Sequence, residues 1–332
     1  MASPLLPLLR RLLHCLLIGL LICGASTAAA SDSEAIELPE SLRTHDDGRR
    51  PIADLYRSYL FLLDQGWELD VVARSQPAGT DQALPIIALH TPREGEAVWI
   101  LSGIHGEETA GPNAIAEAIE AIAALGRHRP VVLLPLNNPH GYARNWRYLN
   151  TPTYSAEIDG QSVGDSSHLL LDSARPGSAR APAPSSAEAG ALTAYVLKLA
   201  ERYPPGWSID LHEDDLIGEG YVYSQGTLGA DDPLAARAVR VLQDHGIPIK
   251  LGGETRFGEP IQGGIIGPVT DSSIDELMSA GAVVMDGKER AGPGARTVLV
   301  FETPAAAIAL PRRVAAHAAL LQMLADELGG EP

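Results

Sequence analysis

The sequence predicts an α/β protein, a mixed and mostly parallel sheet flanked by helices. Three observations predict it. Short runs dense in valine, isoleucine and leucine alternate along the chain with longer stretches whose apolar residues recur every three or four positions. The apolar runs are too short for helices and stop at turn residues, as Ala97–Ser102 does at Gly103, so they read as buried strands. No internal repeat and no compositional break divides the chain into two cores.

In chain order, residues 31–50 are polar and are expected to form a flexible segment. Pro51–Gly66 has helical spacing, with Ile52, Leu55, Tyr59, Leu62 and Leu63 on one side. Strands are expected at Leu69–Ala73, Ile86–His90, Ala97–Ser102 and Val131–Leu136, with a helix over Glu108–Leu125 between the last two. Further strands are expected at Trp207–Leu211, Tyr221–Tyr223, Ala282–Met285 and Thr297–Phe301. Helices are expected at Ala187–Arg202, Pro233–His245, Ile274–Ala280 and Arg312–Leu328. Two stretches break the rhythm. Residues 150–186 read as a long loop, with Asp172–Ser186 rich in alanine, proline, serine and arginine. Residues 252–268 carry six glycines and two prolines. Loops of that length in a compact domain are functional or disordered. Residues 51–332 are therefore read as one catalytic domain.

Composition narrows the function classes. At 45% hydrophobic and 20% charged, the 332-residue chain has enough apolar residues for an ordinary core. Its net charge of −17 gives no basic surplus to displace counterions from a phosphate backbone, so no nucleic-acid partner is expected. Arg10 and Arg11 precede the apolar run Leu12 to Cys23, and Ala28–Ala30 supplies small residues before Ser31. That is the pattern of a secretory signal peptide over residues 1–30, with an apolar run too short to span a bilayer. The expectation is an exported protein, periplasmic or secreted, with no stable membrane anchor after cleavage. Cys15 and Cys23 both lie in the signal, which excludes disulfides and thiolate metal sites from the rest of the chain. Oligomeric state is not legible in the sequence.

The sharpest local feature is Gly103-Ile104-His105-Gly106-Glu107-Glu108, which follows a buried strand and opens a helix. A histidine and a glutamate three residues apart can face one point there. Imidazole nitrogen and carboxylate oxygen are zinc ligands, and a catalytic zinc takes three protein ligands. The third candidate is His212, which ends the apolar run Ser208-Ile209-Asp210-Leu211-His212. Asp210 lies two residues back on the same face and can accept the ring N–H of a ligand histidine. One zinc ion held by His105, Glu108 and His212 is expected. Glu302 directly follows the buried run Thr297–Phe301, where a carboxylate is costly without a charged partner. It is the candidate general base. Arg147, in Pro135–Asn150 (PLNNPHGYARNWRYLN), is the candidate oxyanion stabiliser.

Together these pieces resemble the zinc metallocarboxypeptidase family, which includes carboxypeptidase A and the murein peptide amidases. The order matches: HxxE at His105–Glu108, NPxGY at Asn138–Tyr142, RxWR at Arg144–Arg147, a strand-end histidine at His212 and a late glutamate at Glu302. The HGEE and DLH wordings also resemble the related succinylglutamate desuccinylase and aspartoacylase group. The resemblance implies an eight-stranded sheet, zinc on His105, Glu108 and His212, Glu302 as base and Arg147 at the oxyanion. The family's Asn-Arg pair, which grips a terminal carboxylate, has no counterpart here. The corresponding stretch is Gly164-Asp165-Ser166-Ser167-His168. Carboxylate recognition would then fall to Arg144, Arg175 or Arg256, since serine and the nearby His168 do not replace a guanidinium fork. Tyr221 and Tyr223 are candidates for the family's mobile substrate-side tyrosine. Glu213, Asp214 and Asp215 form an acidic cluster beside the proposed metal, suited to a cationic substrate group, with Asp214 and Asp215 as its candidate contacts. The expected substrate is a peptide, including peptides of the cell wall. One alternative is an N-acyl amino acid. Another is a non-catalytic exported binding module, which the intact set His105, Glu108, His212 and Glu302 argues against.

Overall fold

The computed structural model describes residues 46–76, 83–147, 149 and 164–330, which belong to one compact unit. The expected signal peptide, residues 31–45 of the expected flexible segment and residues 150–163 of the expected loop fall outside the described residues. The described residues begin with helices α1 (Ile52–Tyr59) and α2 (Phe61–Asp64), then strands β1 (Glu68–Ser75), β2 (Leu84–His90) and β3 (Ala97–Ser102). Helices α3 (Ala110–Glu117) and α4 (Ile119–His128) lead to β4 (Val131–Leu134), followed by α5 (Pro139–Arg144) and α6 (Ala187–Ala200). Next come β5 (Pro205–Asp214), β6 (Tyr221–Ser224), α7 (Pro233–Asp244), and the short strands β7 (Gly252–Glu254), β8 (Pro260–Gln262) and β9 (Ile265–Ile266). The chain closes with α8 (Ile274–Ser279), β10 (Ala282–Met285), β11 (Lys288–Ala291), β12 (Thr297–Pro304) and α9 (Leu310–Leu328).

The main sheet runs β1-β2-β4-β3-β5-β12-β6-β9-β8-β7. Its central four strands, β4, β3, β5 and β12, are parallel, and β6 pairs parallel with β9. The remaining neighbours are antiparallel, so the sheet is mixed with a parallel heart. The sheet has ten strands where eight are expected. Three of them are new, β7, β8 and β9, all from the glycine-rich stretch read as a loop, while the expected strand Ala282–Met285 (β10) lies outside this sheet; β7 and β8 form an edge hairpin. Its pairing is backbone to backbone, Gly252 with Gln262 and Glu254 with Pro260, so side-chain alternation gave no sign of it. β10 pairs only with β11, in a separate two-stranded ribbon.

The strand spans expected at Ala97–Ser102 and Ala282–Met285 are the observed ones. The helix expected from Glu108 is two helices divided at Ala118, and it starts at Ala110, which leaves Glu108 in the preceding loop. The domain also begins before residue 51. Arg49 is buried, donates to the Tyr142 carbonyl and bonds Asp47 and Asn145, so the end of the segment expected to be flexible is packed.

Alternation along β3 decides what covers each face. Trp99 and Leu101 pack with Leu192 and Val196 of α6 and with Ile274, Leu277 and Met278 of α8. In another cluster α3 meets α9 through Ala110, Ala114, Leu310 and Val314. Trp99 is fully buried and its indole N–H donates to the Tyr203 carbonyl at 2.9 Å. No helix among the described residues is long and apolar enough to cross a membrane.

Candidate metal and catalytic site

Strands β3, β5 and β12 lie side by side and parallel, so their carboxyl ends share one edge of the sheet. Such edges gather ligand sites in α/β sheets. The chain leaves β3 through Gly103, whose φ of +63° favours a residue without Cβ. The His105–Glu108 loop is then pinned from the side. The Gly106 N–H donates to the carbonyls of Trp146 (3.2 Å) and Arg147 (3.3 Å). The Asn138 amide donates to Ile104 and Arg147 carbonyls, both at 3.2 Å, while its oxygen caps α5 by accepting from Gly141 N–H at 2.9 Å. A Cβ on Gly106 would collide with the Gly141 backbone and the Trp146 carbonyl. The glycines of HGEE and NPHGY therefore let two backbones touch, and this contact delivers Arg147 to the metal ligands.

On β5, Asp210 and His212 share a face, and His212 stands in register with Glu302 of β12. His105 Nδ1 lies 2.7 Å from Glu108 Oε1, and His212 Nδ1 lies 2.9 Å from Glu108 Oε2. The two imidazole rings meet edge to face with centroids 4.9 Å apart. One ligand atom from each of the three residues lies within 4.8 Å of the others. Asp210 Oδ2 lies 3.1 Å behind His212 Nε2, where it would orient the ring. Two imidazoles and one carboxylate, with a carboxylate behind one ring, fit a zinc ion.

The charges around this point are strongly perturbed. Burial raises the Glu108 carboxyl, but His105 and His212 outweigh it and hold the group well below the usual range. Burial lowers His212, yet Asp210 and Glu108 carry it well above an ordinary histidine. Burial and the Arg147 guanidinium lower His105. Glu302 goes the other way: burial raises it well above the usual carboxylate range, with Glu108 and Asp214 adding and His212 and Arg147 opposing. Its Oε2 is buried and without a hydrogen-bond partner. Arg147 Nη1 donates to Glu107 at 2.9 Å and to Glu108 at 2.7 Å, while its Nε is unpartnered.

These groups line a cleft of about 560 Å³. His105, Glu108, Arg147, His212 and Glu302 all face it, as do Asp214, Asp215 and Tyr221. Asp214 accepts from the Leu216 N–H at 2.7 Å and from the Tyr221 hydroxyl at 2.7 Å, so both of its oxygens are engaged internally. Asp215 is exposed at the rim. Two proposed substrate residues are elsewhere. Arg144 ends α5 on its exposed side, because α5 turns Tyr142 inward instead. His168 packs against α6, with Nε2 3.3 Å from the Thr193 hydroxyl, outside the cleft lining. Arg175 pairs with Asp172 in an exposed loop, while Arg256 lines the cleft from the β7–β8 turn.

Some residues of the site have contacts that the sequence does not show. Glu213 accepts from the Ala110 N–H at 2.7 Å at the start of α3, pairs with the buried Arg313 guanidinium, and its own N–H donates to Glu108 at 3.1 Å. It locks the metal-ligand loop to β5 and α9, and nothing local links it to a residue 100 positions on. Thr303 donates to Glu213 and lies 3.0 Å from Nε2 of His317, whose titration burial lowers to about 3. Asp165 and Asp275 are both buried and line the cleft. Burial, with Asp271 nearby, pushes Asp165 up to about 6 against the pull of Arg147.

A mixed sheet thus places two histidines and a glutamate at the carboxyl ends of parallel strands, with a further glutamate beside them. Comparison with known proteins shows what this fold is similar to. Residues 94–156 match the family model of the succinylglutamate desuccinylase/aspartoacylase catalytic domain. The match takes in His105, Glu108 and Arg147 and ends before His212 and Glu302. No curated protein matches the chain. Among solved structures, one from Shewanella amazonensis, provisionally described as a metallopeptidase, superposes with a TM-score of 0.61 at 22% identity, covering 81% of this chain and 91% of that one. A counterpart from Shewanella denitrificans gives 0.61 and 22%, covering 82% and 88%. Carboxypeptidase A from Helicoverpa armigera gives 0.52 at 12% identity, covering 87% and 76%. At these identities the likeness establishes the fold, the mixed α/β sheet of the zinc carboxypeptidases.

Proposed function

We propose that the protein is an exported zinc-dependent hydrolase that cleaves a peptide or amide bond, with cell-wall peptides among its substrates. The observation that carries this reading is the meeting of His105, Glu108 and His212 at one point, with Glu302 in register beside His212 and one of its buried oxygens free. A zinc ion held by those three side chains would supply Lewis acidity and a more acidic water. The chain's own residues do the rest. Glu302, desolvated and high in pKa, accepts a proton from water at its free Oε2 and returns it to the leaving nitrogen. Arg147 offers its guanidinium to the oxygen that gains negative charge. Its bonds to Glu107 and Glu108 hold the fork in place meanwhile. Asp210 fixes the His212 ring.

Export is supported by Arg10, Arg11, the apolar run to Cys23 and Ala28–Ala30. N-terminal sequencing of the secreted or periplasmic protein should begin at Ser31. A second reading, hydrolysis of N-acyl amino acids, is favoured by the match over residues 94–156. One experiment separates them: mass-spectrometric cleavage of peptides, peptide amides, cell-wall peptides and N-acyl amino acids, with and without chelator. Chelator-sensitive peptide cleavage supports the first reading, and cleavage confined to N-acyl amino acids replaces it with the second.

A further inference from the structure

We infer that the cleft wall beside the metal ligands, built by Asp165, Asp271 and Asp275, the last within 4.8 Å of Asp210 and His212, binds a primary ammonium group of the substrate. The inference deepens the hydrolase reading and rests on it. Asp165 is 6% exposed and Asp275 is 3% exposed, both line the cleft, and in each Oδ1 is buried without a hydrogen-bond partner. A carboxylate oxygen in that state is costly unless something donates to it. Asp271 lines the same wall, and its charge reaches both of the other acids. Among the described residues, the cations that act on them are already engaged, His212 by Glu108 and Asp210. Arg147 is engaged by Glu107 and Glu108, and Arg180 of the neighbouring loop is engaged by Glu276.

The wall is also rigidly built. The Ser166 N–H donates to the Ser272 carbonyl at 2.9 Å, which joins the turn carrying Asp165 to the segment carrying Asp271 and Asp275. Arg180 clamps the same two segments, forking onto both oxygens of Glu276 and bonding Ser272 Oγ at 3.0 Å. Ten carboxylate side chains line the cleft among the described residues, against Arg147 and Arg256. Glu108 serves the metal point and Glu213 is neutralised by Arg313, so one divalent ion still leaves a large negative surplus. An ammonium carries one positive charge and three N–H donors on a compact head, which suits several carboxylate oxygens converging from different segments. The acids that the sequence offers for a cationic group, Asp214 and Asp215, are respectively engaged by Tyr221 and exposed at the rim, whereas Asp165 and Asp275 are buried with an oxygen free.

The test uses the zinc-loaded full chain and N-acyl dipeptides that differ only in lysine or norleucine, placed at either residue. At one position the lysine member should be favoured at least tenfold in kcat/KM. Asp165→Asn and Asp275→Asn should each bring that lysine-to-norleucine ratio down by threefold or more. Asp271→Asn, at an exposed position, should lower it less and provides a variant that is not at risk of misfolding. A ratio near one in the native protein, or a ratio unchanged in all three variants, overturns the inference. If neither dipeptide is cleaved, the hydrolase reading fails separately, and calorimetry with N-acetyl-lysine and N-acetyl-norleucine then decides. Selective binding of the lysine compound, weakened in the Asn variants, upholds the ammonium site, and equal or absent binding overturns it. A second zinc ion that Asp275→Asn removes would also overturn it, because the acids would then be metal ligands.

Discussion

On the wall formed by β3, β5 and β12, charged side chains meet charged partners. Glu108 lies 2.7 Å from His105 and 2.9 Å from His212, Asp210 lies 3.1 Å from His212, and Glu213 is closed off by Arg313. Beside it, Asp165 and Asp275 each keep a buried oxygen that accepts no hydrogen bond from the described residues. The exception among its carboxylates is Glu302, whose Oε2 is free and which has no ion-pair partner among the described residues, whereas Asp210 Oδ2, also without a hydrogen bond, still faces the His212 ring. The contrast teaches which groups the fold satisfies by itself and which await something from outside. Buried polar groups in folded proteins are paired almost without exception, so a free carboxylate oxygen in a cleft marks a place for a ligand or a proton.

The exception carries the largest predicted effect. Glu302→Gln keeps shape and removes the base, so turnover should fall about 10²- to 10⁴-fold while zinc stays bound. Steady-state kinetics on metal-quantified protein checks this, and near-native turnover would return Glu302 to the partnered class. The next effect tests whether the partnered wall depends on its partners. Arg313→Leu strands the Glu213 carboxylate in the core and should cost about 3–5 kcal/mol of stability. Adding Glu213→Gln should recover part of it in denaturant titration. A double variant no better than the single would show that the pairing is not what Arg313 contributes.

How far this was legible depends on distance along the chain. His105, Glu108, His212, Asp210, Arg147 and Glu302 could be found because each ends a buried strand or lies in a local motif, and strand ends in a parallel sheet converge. Their separate elements had to meet for the site to exist, and the order of β3, β5 and β12 brings them together. Glu213 with Arg313, and Asp275 with Asp210 and His212, join segments far apart in the chain and leave no local pattern. The β7–β8 hairpin was invisible for a different reason. Its glycines have no side chains to alternate, and backbone pairing alone makes the strands. Arg144 and His168 were misplaced because helix α5 and the turn against α6 aim them away from the cleft, which spacing does not reveal.

Smaller effects sharpen the comparison. His317 sits behind the partnered wall, fully buried and with its titration lowered to about 3. The unfolded chain takes up a proton near the ordinary histidine value and the folded one does not. The stability from keeping it neutral is therefore complete above about pH 6.5 and is lost as pH falls toward 3, by about 1.4 kcal/mol per unit. His317→Phe should flatten that acid limb in a series of unfolding curves between pH 6 and 4, and an unchanged slope would remove His317 from the account. At the rim, Phe257 is exposed and stacks under Arg256 with 4.5 Å between guanidinium and ring. Phe257→Ala should change stability by no more than about 0.5 kcal/mol, since it satisfies nothing buried.

The central claim is that His105, Glu108 and His212 form one metal centre that works through Glu302. Zinc content by mass spectrometry, measured with chelator-sensitive substrate cleavage on the native protein, His212→Ala and Glu302→Gln, tests it most directly. The account predicts one zinc per chain and cleavage in the native protein, zinc without cleavage in Glu302→Gln, and neither in His212→Ala. Zinc retained in full by His212→Ala, or cleavage by the native protein that chelation leaves untouched, would contradict it.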